Sequence, residues 1–202
     1  MRKVVFFIVF VLITCSMTVL ADKERVNDRY TVTSPNGKFL IELIPANNFG
    51  EAGKGFAFAK EDSHRLDTLW KIDWFAKKVF LADDGAHLIR FGPWASDKNR
   101  LTDKAIGFYK KGKVLKQYLV KDLVKDAKSI SASVSHYTWE SCDSAIVSGL
   151  SKDFKSYTLV TTDRIVYIFN TSTGKITKKK ILSAGDGRIM GRKKTAVAKE
   201  LQ

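Results

Sequence analysis

The sequence feature that most constrains the fold is a repeated pattern of short β-rich runs separated by turn residues. The first turns of two clear copies, at Asn36 and Asp84, lie 48 residues apart, and their second turns, at Asp62 and Lys111, lie 49 residues apart. A third, less regular copy has its turn at residues 151–153. Four short strands repeating every 40–50 residues or so are typical of a β-propeller blade, but closed propellers typically need at least four blades. We therefore predict an all-β fold of antiparallel hairpin repeats, arranged as an open propeller-like stack or a β-sandwich.

The individual strands are predicted from runs rich in β-branched and aromatic residues. In the first two copies these runs are residues 30–33, 38–44, 56–59 and 68–74, and then 78–81, 86–91, 105–109 and 113–119. The third copy has runs at residues 144–148, 157–160 and 164–169, and a turn at residues 171–174. One short helix, connecting the second copy to the third, is predicted over residues 120–127, where apolar residues recur with helical spacing.

The apolar run over residues 79–94 contains two adjacent aspartates, a glycine and a histidine. These residue types could bind a metal ion. However, Asx-Gly between apolar strands is a strong hairpin signal, because both residues tolerate positive φ. A calcium loop would need further oxygen ligands and a distal glutamate, which do not follow here. We therefore interpret Asp83, Asp84 and Gly85 as a hairpin turn and His87 as a partly buried strand residue.

Reactive side chains are dense in only one other segment, which contains His136, Cys142 and Asp143. A thiol, an imidazole and an acid could form a nucleophile with its base. No family-type signature surrounds Cys142, so we interpret the segment as a loop in which the cysteine is a small buried group. The sequence also lacks a phosphate loop, an HExxH pair and a CxxC pair. We assign no catalytic, cofactor-binding or metal-binding residues and no cofactor, and we interpret the chain as non-catalytic.

The tryptophans raise the question of a ligand-stacking face. Trp70, Trp74 and Trp94 could stack on sugar rings, as aromatic residues do in carbohydrate-binding proteins. Aromatic residues at strand positions are more often part of the core, and the spacing of these three does not single out an exposed platform. We therefore expect them in the core.

The N-terminus predicts export. Arg2 and Lys3 precede the apolar run 4–13, and Val19 and Ala21 fit the cleavage site of a secretory signal peptide. We predict that residues 1–21 are removed and that the mature protein is periplasmic or extracellular. The alternative is a lipoprotein anchored through Cys15, although Thr14 is a poor residue before a lipidated cysteine. Cleavage after residue 21 leaves Cys142 as the sole cysteine and thus no intramolecular disulfide.

The chain is basic, with 35 Lys and Arg against 21 Asp and Glu, a net charge of +14. Removing residues 1–21 deletes two basic residues and leaves +12. Residues 175–202 contain nine basic and two acidic residues, a net +7. We divide the mature chain into a single β-rich domain, residues 22–180, and a basic tail, residues 181–202. Such a tail either contacts an anionic surface or only keeps the protein soluble, and we do not expect intracellular nucleic acid as a partner.

Residues 81–175 resemble an uncharacterised family of bacterial exported β-rich proteins. The matching features are Asp83-Asp-Gly85, Phe108-Tyr109, Gly112-Lys-Val-Leu115, Asp122-Leu123, the segment 131–139 and Thr173-Gly174. The chain departs from the family at residues 90–94, where relatives tend to be acidic. The resemblance implies export and a propeller-blade-like repeat, but no activity.

We interpret the chain as an exported binding or interaction protein of unknown ligand, whose basic C-terminal segment contacts anionic surfaces. A structural subunit that completes a larger extracytoplasmic β assembly is one alternative. An enzyme that uses the Cys142 and His136 loop is another. A protein partner, peripheral contact with a membrane and oligomer formation all stay open.

Overall fold

The computed structural model describes residues 23–60, 68–95, 99–132, 136–141 and 148–183. The strands within them are β1 (Tyr30–Thr33), β2 (Phe39–Pro45), β3 (Ala52–Ala59), β4 (Thr68–Trp74), β5 (Val79–Leu81), β6 (His87–Phe91), β7 (Lys104–Lys110), β8 (Lys113–Leu119), β9 (Ser131–Ala132), β10 (Tyr137–Thr138), β11 (Gly149–Leu150), β12 (Ser156–Val160), β13 (Ile165–Asn170) and β14 (Ile176–Ile181). Among the described residues, no helix is long and apolar enough to cross a membrane.

Three four-stranded antiparallel sheets follow one another along the chain. Sheet 1 is β1 to β4, sheet 2 is β5 to β8 and sheet 3 is β11 to β14, each in sequence order, and β9 pairs with β10 in a small two-stranded sheet. The predicted all-β fold of antiparallel hairpins is confirmed, and each sheet corresponds to one predicted copy. In the third copy, most of the first predicted strand, residues 144–148, lies outside the described residues.

Sheet 2 is the middle layer and packs against another sheet on each face. Strands β6 and β7 are buried at almost every position. Leu88 belongs to the core shared with sheet 1, whereas Ile89 and Phe91 belong to the core shared with sheet 3. Because neighbouring strand residues point to opposite faces, a sheet covered on both sides needs apolar residues at consecutive positions. This requirement accounts for the continuous apolar run around the Asp83 turn.

Two hydrophobic cores result. Between sheets 1 and 2 lie Ile41, Leu43, Ala57, Trp70, Ile72, Phe75, Ala76, Val79, Leu81, Leu88 and Tyr109. Between sheets 2 and 3 lie Ile89, Phe91, Ala105, Ile106, Phe108, Val120, Leu123, Val124, Ile130, Tyr137, Tyr157, Leu159, Ile165, Tyr167 and Phe169. Each fully buried large apolar side chain contributes about 1.5–3 kcal/mol relative to its exposed state, so these two interfaces hold the layers together.

The first turn of each sheet has the same backbone structure. Its fourth residue is left-handed, with φ of +74° at Gly37, +65° at Gly85 and +56° at Phe154. The N–H of that residue donates to the carbonyl oxygen three residues earlier, at 2.8, 3.0 and 3.0 Å. An Asx side chain precedes it in all three turns and accepts the backbone N–H two residues further on, at 2.8–3.1 Å. The hairpin interpretation of Asp83 to Gly85 is therefore confirmed, and the third copy has a phenylalanine where the others have glycine.

Turn glycines also form the joints between sheets. A Cβ on Gly85 would lie 2.3 Å from Cδ1 of Phe39 in sheet 1, and one on Gly112 would lie 2.4 Å from the carbonyl oxygen of Lys71. A Cβ on Gly174 in sheet 3 would lie 2.8 Å from Cβ of Phe108 in sheet 2. Real Cβ atoms do not approach other atoms this closely, so each contact needs a residue without a Cβ. These glycines let each sheet approach the one before it.

The connecting helix is present but shorter than predicted. Helix α1 is Val120–Leu123, and a 3-10 helix follows at Ala127–Ser129. Val124 is extended, with φ −83° and ψ 120°. The carboxylate of Asp163 accepts the next two backbone N–H groups, at 2.5 and 3.1 Å. An acceptor from a distant part of the chain thus competes with helical hydrogen bonds, which the local apolar spacing could not indicate.

Gly85 and Gly37 form a matched test of the joint. Both have positive φ, but a Cβ on Gly37 would have no atom within 4 Å. Gly37→Ala should lower the free energy of unfolding by about 1 kcal/mol through backbone strain alone. Gly85→Ala should lower it by about 2–4 kcal/mol, because the methyl group also overlaps the base of the Phe39 ring. Urea unfolding of both variants measures the difference, and equal losses would contradict a steric joint at Gly85.

Candidate functional site

In the turn formed by Asp83, Asp84 and Gly85, both carboxylates accept hydrogen bonds from other groups of the fold. Oδ1 of Asp84 accepts the backbone N–H groups of Ala86 and His87, and Oδ2 lies 2.5 Å from Nδ1 of His87. Burial raises the pKa of the Asp84 carboxyl, but these hydrogen bonds outweigh burial and bring that pKa below its ordinary value. Asp83 accepts the backbone N–H of Asn36 at 2.7 Å, which joins the first turns of sheets 1 and 2.

No group of three or more His, Cys, Asp and Glu side chains in the described part of the chain could hold a metal ion. Of the alternative catalytic loop, Cys142 and Asp143 lie outside the described residues. His136 is described, and its ring packs on Trp94 with centroids 4.5 Å apart.

The three tryptophans considered from sequence have different surroundings. Trp70 is a core residue, and its Nε1 donates to the carbonyl oxygen of Gly85 at 2.7 Å. Trp74 is half-buried, and the guanidinium carbon of Arg90 lies 4.1 Å from its ring centroid. Trp94 is also half-buried, but it lines a cleft together with Trp139. Trp70 is therefore in the core of sheets 1 and 2, Trp74 packs against that core, and Trp94 lines the cleft instead.

A charge cluster around one buried arginine lies where sheets 1 and 2 meet. Arg90 on β6 has 3% of its surface exposed, and its Nη2 donates to Oε1 of Glu51 and, at 3.3 Å, to the carbonyl oxygen of Phe75. Nζ of Lys104 on β7 lies 3.5 Å from Oε2 of Glu51. Burial lowers the pKa of the Lys104 ammonium, and the positive charge of Arg90 lowers it further. The negative charge of Glu51 partly opposes this lowering. Glu51, whose side chain is 32% exposed, is thus shared by a buried arginine and a half-buried lysine.

Sequence reasoning missed this cluster, although one signal was present. Arg90 is the one charged residue within the apolar run 88–91, and a charge inside a two-sided core strand needs a partner. Its partner Glu51 is 39 residues earlier, in a segment that reads only as a loop. The cluster holds together the two sheets on which it lies, and Nε of Arg90 is buried without a hydrogen-bond partner among the described residues.

A cleft of about 260 Å³ is lined by residues 77–78, 91–95 and 136–140, beside the core of sheets 2 and 3. Nζ of Lys78 lies 4.1 Å from the ring centroid of Phe91. Behind the cleft, the buried ring of Tyr157 packs on Phe91 with centroids 5.5 Å apart. Within the described part of the chain, the Tyr157 hydroxyl has no hydrogen-bond partner. Burial, and then the negative charge of Glu140, raise the pKa of this hydroxyl.

The predicted basic C-terminal segment is partly a strand. Lys178, Lys179 and Lys180 are exposed on β14, the outer edge strand of sheet 3. Leu182 beyond the strand is 5% exposed and packs with Val160 and Val166. The described body thus continues through Leu182, and residues 184–202 of the predicted tail lie outside the described residues.

No family model matches this chain, and no curated protein matches it in sequence. The resemblance to exported β-rich proteins therefore stays a prediction.

Glu51 should matter much more than a carboxylate whose cationic partner is exposed. Glu51→Gln leaves the buried Arg90 and the half-buried Lys104 without a compensating charge, and it should lower the free energy of unfolding by about 2–4 kcal/mol. Glu42→Gln is the matched control, because Glu42 pairs with Arg29, whose side chain is 66% exposed. That change should cost less than about 1 kcal/mol. Denaturant unfolding compares them, and a similar small loss for both would contradict the role of Glu51.

The unpartnered Tyr157 hydroxyl gives a second stability test. Tyr157→Phe should leave the free energy of unfolding unchanged or raise it by up to about 1 kcal/mol, because it removes a buried polar group that lacks a hydrogen bond. Tyr167→Phe is the control, since the Tyr167 hydroxyl donates to the carbonyl oxygen of Leu123 at 2.6 Å. Loss of this hydrogen bond in Tyr167→Phe should lower the free energy of unfolding by about 1 kcal/mol. A destabilised Tyr157→Phe variant would show that the hydroxyl has a partner, such as an ordered water.

Proposed function

We propose that this protein is an exported, non-catalytic binding protein that contacts anionic surfaces through a basic face. We define the basic face as sheet 3 together with the segment that follows it, residues 148–202. The observation that carries the proposal is β14, in which all six residues are exposed and three consecutive ones are lysine. Export is taken from the signal-peptide pattern of residues 1–21, which lie outside the described residues.

The charge distribution supports this proposal. Residues 148–183 contain seven basic and two acidic residues, a net +5. Residues 184–202 contain five basic and two acidic residues, a net +3. The rest of the chain after residue 21 has 21 basic and 17 acidic residues, a net +4. Two thirds of the mature charge of +12 is therefore on the basic face, and more of it on sheet 3 than on the segment beyond it.

The three lysines of β14 lie on both sides of the strand. Neighbouring residues of β14 point to opposite faces, so Lys179 lies on one side, with its Nζ 5.7 Å from the ring centroid of Tyr167, and Lys178 and Lys180 lie on the other. Each basic residue near an anionic membrane contributes about 1 kcal/mol, and the attraction decays within a Debye length of roughly 8–10 Å. Edge-strand lysines also discourage strand pairing between proteins, which is the competing explanation.

The junction between sheet 3 and the last residues is fixed. The N–H of Leu182 donates to the carbonyl oxygen of Arg164 at 2.9 Å, and Nη2 of Arg164 donates to the carbonyl oxygen of Ser183 at 2.6 Å. A chain that ends at Ser183 keeps both hydrogen bonds. Such a chain separates the contribution of the strand from that of residues 184–202.

The second candidate function is a subunit of a larger β assembly, and one surface favours it. The face of sheet 1 away from sheet 2 presents Leu69, which is 47% exposed, and the partly exposed Phe56 and Phe58. Consecutive four-stranded sheets that pack face to face support a propeller-like open stack, in which a further sheet would cover this end. A molecular mass that rises with concentration in light scattering would favour this candidate.

The proposed function is tested with two triple variants of the mature chain on phosphatidylserine vesicles at low salt. Lys178→Gln, Lys179→Gln and Lys180→Gln together should weaken binding by about 30-fold, because Lys178 and Lys180, on one side of β14, each lose a contact of about 1 kcal/mol. The control changes Lys110, Lys111 and Lys113, exposed on sheet 2, to Gln and has the same net charge.

The control should weaken binding by less than about threefold, and added salt should weaken binding of the unchanged chain. The chain ending at Ser183 should keep its melting temperature and the larger part of its binding. Equal losses in the two triple variants would mean that net charge alone matters, and would refute the basic face as a site.

A further inference from the structure

We propose that the cleft beside sheets 2 and 3 binds an acidic carbohydrate. This inference is independent of the basic face, because no residue of the cleft belongs to sheet 3 or to the segment after it. Three observations support this proposal: the aromatic lining of this cleft, the lysine at its rim, and a second cleft lined by Asn27, whose side-chain oxygen is buried without a partner among the described residues.

The aromatic lining comes from two separate parts of the chain. Trp94 follows β6, and Trp139 follows β10, and both are half-buried among the lining residues. The ring of His136 packs on Trp94 at 4.5 Å with an angle of 43° between the planes, which supports the orientation of the indole. Large aromatic side chains of fixed orientation beside an open volume are suited to stack against the apolar face of a sugar ring.

The rim carries charges of both signs. Lys77, Lys78 and Glu140 are the charged residues among the described lining of the cleft. Nζ of Lys77 is 2.7 Å from Oε1 of Glu24, so its charge is already compensated. Lys78 forms no ion pair with the carboxylates of the described chain, and its ammonium lies over Phe91 and Phe80, 4.1 and 5.9 Å from their ring centroids. Lys78 is therefore the cation that an acidic group of the ligand would pair with.

A second cleft of about 220 Å³ shares Lys77 with the first. It is lined also by Asn27, which is 7% exposed. Nδ2 of Asn27 donates to the carbonyl oxygens of Asn47 and Gly50 at 3.1 and 3.0 Å, which fixes the orientation of the amide. Oδ1 is buried and has no hydrogen-bond donor among the residues that the structure describes. A buried acceptor of this kind costs free energy unless a donor reaches it, and a sugar hydroxyl is such a donor.

These features together select the class of ligand. Indole rings favour a flat apolar ring face, Lys78 favours a carboxylate or another acidic substituent, and Asn27 favours a hydroxyl donor. Two clefts that meet at one lysine suit a chain of at least two sugar units. An acidic peptide would also pair with Lys78, but it carries few hydroxyl donors and no ring of this kind, and it is an outcome of the experiment.

Isothermal titration of the mature chain with tetragalacturonic acid tests the proposal, with its methyl ester and hexa-aspartate as comparison probes. We expect binding of the acid and at least about tenfold weaker binding of the uncharged ester. Lys78→Gln and Trp94→Ala should each weaken binding of the acid by about tenfold. The controls are Lys54→Gln and Phe58→Ala. Lys54 is a matched lysine because its Nζ also lies over an aromatic ring, 5.8 Å from the ring centroid of Phe56. Both should change binding by less than about twofold.

The variant that lacks the three β14 lysines should bind tetragalacturonic acid as the unchanged chain does, which separates this site from the basic face. Equal effects of Lys78→Gln and Lys54→Gln, or equal binding of acid and ester, would overturn the proposal. Binding of hexa-aspartate alone would assign the cleft to acidic peptides instead. Absence of binding of tetragalacturonic acid at about 5 mM would also overturn the proposal, since sites of useful affinity are occupied well below that concentration.

Discussion

The burial of sheet 2 on both faces is the constraint on which the rest of the structure depends. Sheets 1 and 3 each cover one face of it, and together they make consecutive residues such as Leu88 and Ile89 part of different cores. Close approach of the layers then requires turn residues without a Cβ, which explains Gly85 and Gly174 at the joints. Because both faces of sheet 2 are covered, the buried Arg90 of β6 needs a carboxylate partner, which Glu51, directly before β3 of the neighbouring sheet, provides.

Local chemistry made much of this fold predictable. The turn at Asp83 to Gly85 follows from the preference of Asx and glycine for its backbone conformation, and the strands follow from runs of apolar residues. Phe154 could not be predicted in the left-handed position of the third turn, because no local preference places a phenylalanine there. The end of α1 and the partner of Arg90 depend on residues 37–39 positions away in the chain, which a short window of sequence does not contain.

The candidate sites show the same division. The basic C-terminal segment was evident from charge alone, but its division between an edge strand and the residues beyond it depends on where the last core residue, Leu182, is buried. Trp70 and Trp94 are the same residue type near strands, yet one is in a core and the other lines a cleft. The difference comes from tertiary position. The spacing of tryptophans along the chain therefore carried little information about a ligand site.

The layered order has a consequence for how the protein opens. Sheets 1 and 3 are each anchored through one core, whereas sheet 2 shares both, so either outer layer can detach while the remaining pair stays folded. Sheet 2 cannot lose its structure without both neighbours losing theirs. Amide hydrogens of β6 and β7 should then exchange only through global unfolding. Amide hydrogens of sheets 1 and 3 should exchange through smaller, separate openings of each outer sheet. The protein would then unfold locally as two cooperative units, each of which pairs sheet 2 with one outer sheet.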